Sequence, residues 1–136
     1  MLIRSASGLR GIAEDHFTPE LIDKYISAFI NTQNIKSCVI GRDGRPSGKQ
    51  IALWVIDSLH KKGVNVDNCG LATTPTMQIM TEKENYDGGI VITASHNPSE
   101  YNGLKFLLND GTFLSPEQCE ELFKAADQNI SVENSE

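Results

Sequence analysis

The side chains best able to do chemistry in this sequence are Ser95, His96 and Lys105, which share one segment, Gly88 to Lys105 (GGIVITASHNPSEYNGLK). A hydroxyl can carry a transferred group, and an imidazole can move a proton near neutral pH. An ammonium can hold an anion or, with a depressed pKa, assist proton transfer. A serine hydrolase would want G-x-S-x-G at a strand-to-helix elbow, with an aspartate and a histidine elsewhere. Here Ala94 and His96 flank the serine, and Asn97-Pro98 blocks an immediate helix. A serine in a polar, solvent-facing loop can instead carry a phosphoryl group, whose charge needs cationic or metal partners. Arg10, set in S-G-L-R-G from Ser7 to Gly11, is a bidentate donor for such a group. Plainer readings stand beside these: a backbone-bonding serine, a loop histidine, an edge-strand lysine and a surface arginine.

These side chains need a sheet to present them. Ile90, Val91 and Ile92 predict a buried strand over Gly89 to Thr93, so Ser95 sits at its carboxyl end, where ligands gather in open α/β sheets. A second apolar run, Leu104 to Leu108, puts Lys105 on one face and Leu104 and Phe106 on the other. The short connection predicts an antiparallel strand at a sheet edge. Upstream, Leu2 and Ile3 can begin a strand, and Ser7 to Gly11 reads as a tight loop presenting Arg10. Further strands are predicted at Ser37 to Ile40 and Val64 to Asn68. Helices are predicted after Thr18-Pro19, after the capping box Ser47 to Gln50, after Thr74-Pro75 and after the capping box Ser115 to Gln118. The third of these offers Met77, Ile79 and Met80 to the core. Gly63 is read as a helix C-terminal cap. The result is a three-layer α/β/α sandwich on a mostly parallel, mixed four-stranded sheet with one antiparallel edge strand.

Length suits one domain, expected over residues 1–128, with residues 129–136 as a polar tail that would begin a linker to a second domain. The net charge of −6 argues against a nucleic-acid or anionic-membrane partner. Neither a transmembrane run nor a signal-like apolar core is present, so the expectation is cytoplasmic. Cys38, Cys69 and Cys119 are widely spaced and read as buried reduced thiols. All arginines (Arg4, Arg10, Arg42, Arg45) fall in Gly- or Ser-containing stretches of the first third, whereas the predicted helices use lysine. That distribution fits either recognition of a small anion or surface pairing. Arg42, Asp43 and Arg45 in GRDGRPSGK are read as loop-tying residues, and His16 and His60 as structural or exposed. This stretch is not a nucleotide P-loop: Asp43 stands where glycine is required, and Gln50 follows Lys49.

T-A-S-H-N-P at Thr93 to Pro98 with Y-N-G-L-K at Tyr101 to Lys105 resembles the phosphoserine loop of the α-D-phosphohexomutases, the superfamily of phosphoglucomutase/phosphomannomutase and phosphoglucosamine mutase. S-G-L-R-G, G-R-D-G-R-P-S-G at Gly41 to Gly48 and T-T-P-T at Thr73 to Thr76 follow the family order, so the resemblance covers nearly the whole chain, as domain I only. It implies a phosphorylated Ser95, with Arg10, Asn97 and Lys105 at the phosphate and His96 beside them. It further implies magnesium, held by the phosphate on Ser95 and by a D-x-D-x-D triplet that this sequence lacks; Asp110 stands in a turn without acidic neighbours of that spacing. The full-length family enzyme interconverts hexose 1-phosphate and 6-phosphate through a hexose 1,6-bisphosphate, which also serves as activator. The expected partners are a phosphorylated hexose and the remaining domains of the same polypeptide. This chain alone is expected to be inactive. The alternatives are a phosphoglucosamine mutase rather than a phosphogluco/phosphomannomutase, a non-catalytic sugar-phosphate-binding module and an unrelated serine hydrolase.

Overall fold

Alternating apolar residues along the strands divide the interior into two cores on opposite faces of one sheet. The structure, a computed structural model, describes residues 2–5 and 8–134, with backbone alone for 129–134. In chain order the elements are β1 (Ile3–Ser5), β2 (Gly8–Ile12), α1 (Ala13–His16), α2 (Pro19–Gln33), β3 (Ser37–Arg42) and α3 (Gly48–Lys61). They continue as β4 (Asn65–Leu71), α4 (Thr74–Lys83), β5 (Gly88–Ile92), β6 (Tyr101–Leu107) and α5 (Pro116–Asn134). Cys38, Ile40, Ile90, Ile92, Leu104 and Phe106 face a large core with α2, α3 and α5. Their neighbours Val39, Val91 and Leu107 face a small core closed by Met77 of α4. This is the period of two expected of strands buried on both faces, and it gives the α/β/α sandwich.

The sheet has six strands rather than four, in the order β1-β2-β6-β5-β3-β4. β3 pairs in parallel with β4 and β5, while β6 is antiparallel to β5. The antiparallel strand is therefore present, but it is interior: β2 pairs on its far side, and β1 folds back on β2 as a hairpin. The expected loop around Arg10 is thus strand β2; of that stretch, Ser7 lies outside the described residues. The pairing depends on glycine. A Cβ at Gly103 would stand 2.2 Å from the Leu9 carbonyl oxygen and 2.8 Å from that of Thr93, so backbone closes on β6 from both sides.

Helix ends follow local chemistry, with two corrections. Thr18 accepts a hydrogen bond from the Leu21 N–H, and Ser115 and Gln118 form a reciprocal capping box. Gly63, at φ +78°, follows the last turn of α3 as the C-terminal cap requires. The cap of α4 is Thr73, one residue before the expected Thr74. Ser47 occupies the N-cap of α3 but makes no side-chain capping bond; its Oγ accepts from Asn102 Nδ2 at 2.9 Å instead. On α4 only Met77 of the expected trio is buried; Ile79 is 55 % exposed. Helix α3 buries one face and turns Leu53 outward. The backbone of α5 stays helical through Asn134, with neither glycine nor proline after Pro116 to stop it. The tail side chains from 129 onward are outside the described residues. No helix among the described residues is long and apolar enough to cross a membrane.

Candidate functional site

The chain leaves β5 at Ile92 and returns as β6 from Tyr101, with the serine loop between. Two turns shape that loop: the Asn97 N–H donates to the Ala94 carbonyl at 3.1 Å, and the Tyr101 N–H to the Pro98 carbonyl at 2.9 Å. Ser95 itself is left-handed, at φ +56°. For a residue with a Cβ this costs roughly 1–2 kcal/mol, which the surrounding bonds must offset.

The register Val91↔Lys105 sets Lys105 on the α4 side of the sheet, pointing toward the loop. Its Nζ donates to Ser95 Oγ at 2.8 Å and lies 5.6 Å from the centre of the Phe113 ring. Burial, and secondly the field of Arg10, hold the Lys105 ammonium below the ordinary lysine value. Arg10 reaches the same place from β2, whose register pairs it with Gly103. Its Nη1 donates to Asn97 Oδ1 at 3.1 Å, and its buried Nε has no hydrogen-bond partner among the described residues. An exposed hydroxyl thus lies beside an ammonium whose charge is disfavoured by burial and by the nearby Arg10 guanidinium. That is a setting in which an anion is favourable.

A second group grips the loop from behind. Arg45 donates through Nη2 to the Ser95 carbonyl at 2.6 Å and through Nη1 to the carbonyls of Pro98 at 2.7 Å and Tyr101 at 3.3 Å. Its Nε donates to Asp43 Oδ2 at 3.0 Å. The same carboxylate oxygen accepts from Thr93 Oγ1 at 2.6 Å, and that hydroxyl accepts from the Ser95 N–H at 3.0 Å.

The structure therefore brings Ser95, Lys105, Arg10 and Asn97 together. His96 is exposed beside them and makes no hydrogen bond among the described residues. Arg42, unlike Asp43 and Arg45, makes no side-chain hydrogen bond there. His16 Nδ1 accepts from the Ile12 N–H, and Asp110 accepts from Thr112, which lowers its pKa. Cys38 and Cys119 are buried and Cys69 is half-buried, all as free thiols. No described residues cluster as three or more potential metal ligands. The carboxylate beside the loop, Asp43, already serves Arg45 and Thr93. These side chains do not fit a magnesium cage by themselves.

Two members of the site carried no role in the sequence reading. Thr93, 6 % exposed, relays Asp43 to the Ser95 N–H. Asn102, fully buried, ties Ser47 to the start of β6 through its Nδ2, while its Oδ1 accepts from the Gly103 N–H. The available signal was position: each is a polar residue at a strand end adjoining the serine loop, where burial demands a partner.

Fold and site together define an α/β/α domain that displays a serine-bearing loop among basic side chains. Residues 1–133 match the family model described as phosphoglucomutase/phosphomannomutase, alpha/beta/alpha domain I, and the chain belongs to that family, as the N-terminal domain I of the α-D-phosphohexomutase superfamily. A phosphoglucomutase/phosphomannomutase of Thermococcus kodakarensis is 42 % identical over 128 residues, covering 88 % of this chain and 28 % of the relative. A phosphoglucosamine/phosphogalactosamine mutase of Sulfurisphaera tokodaii is 39 % identical over 118 residues, covering 85 % of this chain and 26 % of the relative. Among solved structures, a phosphoglucomutase/phosphomannomutase family protein of Burkholderia thailandensis superposes with a TM-score of 0.79 at 27 % identity, over 94 % of this chain and 30 % of that one. The chain thus spans under a third of the length of the curated relatives it matches.

Proposed function

We propose that this chain is the phosphoserine-bearing domain of a cytoplasmic phosphohexomutase, which interconverts hexose 1-phosphate and hexose 6-phosphate through a bisphosphorylated sugar. Lys105 Nζ donating to an exposed Ser95 Oγ carries this reading. In the forward half-reaction the Ser95 Oγ–P bond breaks as a bond forms between phosphorus and a sugar hydroxyl oxygen. The hydroxyl gives up its proton and Oγ takes one. Lys105 stabilises negative charge on Oγ as it leaves, and its lowered pKa suits it to supply that proton. Arg10 and Asn97 line the position of the phosphoryl group. Splitting one migration into two transfers through a covalent intermediate lowers each barrier. Magnesium, when bound, would neutralise phosphoryl charge. This chain offers it only the phosphate on Ser95, and its carboxylate ligands would come from the remaining polypeptide.

The test is intact mass spectrometry with peptide mapping on the longest native polypeptide containing this domain, after incubation with a hexose 1,6-bisphosphate. One phosphoryl group on the Ser95 peptide is expected, and none in Ser95→Ala. Modification elsewhere, or none with retained binding of the sugar phosphate, would replace this reading with that of a non-catalytic binding module. The isolated chain is expected to bind poorly and turn nothing over.

A further inference from the structure

The geometry points to Arg45, fixed by Asp43 and completed by Thr93, as the positioning residue that holds Ser95 in its left-handed conformation and so delivers its hydroxyl to Lys105; this rests on the phosphoryl-transfer reading for its consequence, but not for its geometry. Left to itself, a serine at φ +56° would relax toward the extended or right-handed helical regions. Relaxation would rotate the Ser95 carbonyl and N–H and carry Oγ away from Nζ. Both backbone groups are held. Arg45 Nη2 takes the carbonyl at 2.6 Å, and Thr93 Oγ1 takes the N–H at 3.0 Å. The two holds are one unit, because Asp43 Oδ2 accepts from Arg45 Nε at 3.0 Å and from Thr93 Oγ1 at 2.6 Å.

Arginine is needed here for its shape. One planar fork spans the Ser95, Pro98 and Tyr101 carbonyls while its Nε side faces Asp43. An ammonium is a point donor and cannot bridge that set. Asp43 is in turn placed by backbone, its N–H donating to the Ile92 carbonyl at 3.1 Å. The clamp is thus anchored to the last residue of β5 and reaches over the loop to the first residue of β6. Arg45 has a side-chain exposure of only 11 % and lies behind the loop, so it acts through Ser95 rather than on a substrate.

The test compares Arg45→Lys, Arg45→Gln and Thr93→Val with the parent by solution NMR of the chain. A positive φ gives Ser95 a strong intraresidue NOE between its amide and Hα protons. The expected result is that this NOE weakens in all three variants, that the Lys105 contact with Ser95 is lost, and that unfolding stays a single transition. An unchanged NOE and contact in Arg45→Gln and Thr93→Val overturns the proposal; so does full retention in Arg45→Lys, which would reduce the clamp to a charge. If Arg45→Gln fails to fold, Thr93→Val, which is nearly isosteric, decides by the same signature. In the longest native polypeptide, single-turnover transfer between hexose 1,6-bisphosphate and Ser95 is expected to fall about 100-fold in kcat in Arg45→Lys with little change in KM. If the parent shows no transfer, the mutase reading fails while the NMR result still judges the clamp.

Discussion

Replacing Lys105 by methionine separates what this side chain does for stability from what it does for chemistry, and the two are expected to move in opposite directions. Methionine keeps the length of the stem and removes the charge. In the fold, the ammonium is disfavoured first by burial and then by Arg10, so its pKa lies below the ordinary lysine value. For such a group the sign is fixed. The charge opposes folding at neutral pH, and that opposition fades as pH rises through the folded-state pKa toward the unfolded one. Lys105→Met removes it at every pH. Against this stands the lost attraction to the Phe113 ring, 5.6 Å away, worth about 0.5–1 kcal/mol at an exposed site and partly replaced by a thioether–aromatic contact. The hydrogen bond to Ser95 Oγ adds little to the fold itself, because that hydroxyl is exposed and water replaces the ammonium; the variant should therefore melt no lower than the parent, and the parent's disadvantage should shrink above neutral pH. The chemistry should suffer. A charge-assisted hydrogen bond such as that to Ser95 Oγ at 2.8 Å contributes about 1.5–3 kcal/mol, so phosphoryl transfer should slow by about 10- to 150-fold. Calorimetry of the chain and rapid-quench transfer in the longest native polypeptide measure the two arms. Transfer within threefold of the parent, or a destabilisation greater than about 1 kcal/mol, would refute the reasoning.

Gly103→Ala puts a Cβ 2.2 Å from one backbone oxygen and 2.8 Å from another, and neither can swing aside as a side-chain end would; urea denaturation should show a loss of about 1–3 kcal/mol or more, with β2 and the serine loop the first amides to lose exchange protection. Arg4 holds the Asp127 carboxyl below the usual carboxylate range, chiefly by their hydrogen bond. The bond's contribution is present above the unfolded carboxylate pKa and is lost as pH falls through the lowered folded value. Asp127 is 52 % exposed, so Asp127→Asn should cost at most about 1 kcal/mol near neutral pH and nothing in strong acid, as thermal melts across that range would reveal.

Local signals carried well where a residue and its partner are close in the chain. The Ser115–Gln118 box, the Thr18 cap and the apolar run through Ile90, Val91 and Ile92 each depend on neighbours a few residues away, and each stands in the structure. What depended on distant partners was hidden. Strand β2 contains two glycines and an arginine, and it becomes a strand only because β6 is there to pair with it. Ser47 satisfies the capping pattern, yet its hydroxyl answers to Asn102 instead, because a fully buried amide must be bonded. The same holds within the site. Ser95 and Lys105 were visible as a pair at short range. Arg45 was visible as a loop-tying arginine, but its three carbonyl partners and the relay through Thr93 required the fold.

The placement of β6 between β5 and β2 has a temporal consequence. Arg10 lies in a strand synthesised well before its pairing partner, Gly103. During translation the β1–β2 hairpin must wait, unpaired on that side, until β6 has left the ribosome. Closing so long a loop is entropically unfavourable and slow compared with assembly of the β3–α3–β4 unit. The cationic side of the serine loop thus arises only when β2 and β6 meet, so Arg10 joins Lys105 late in folding.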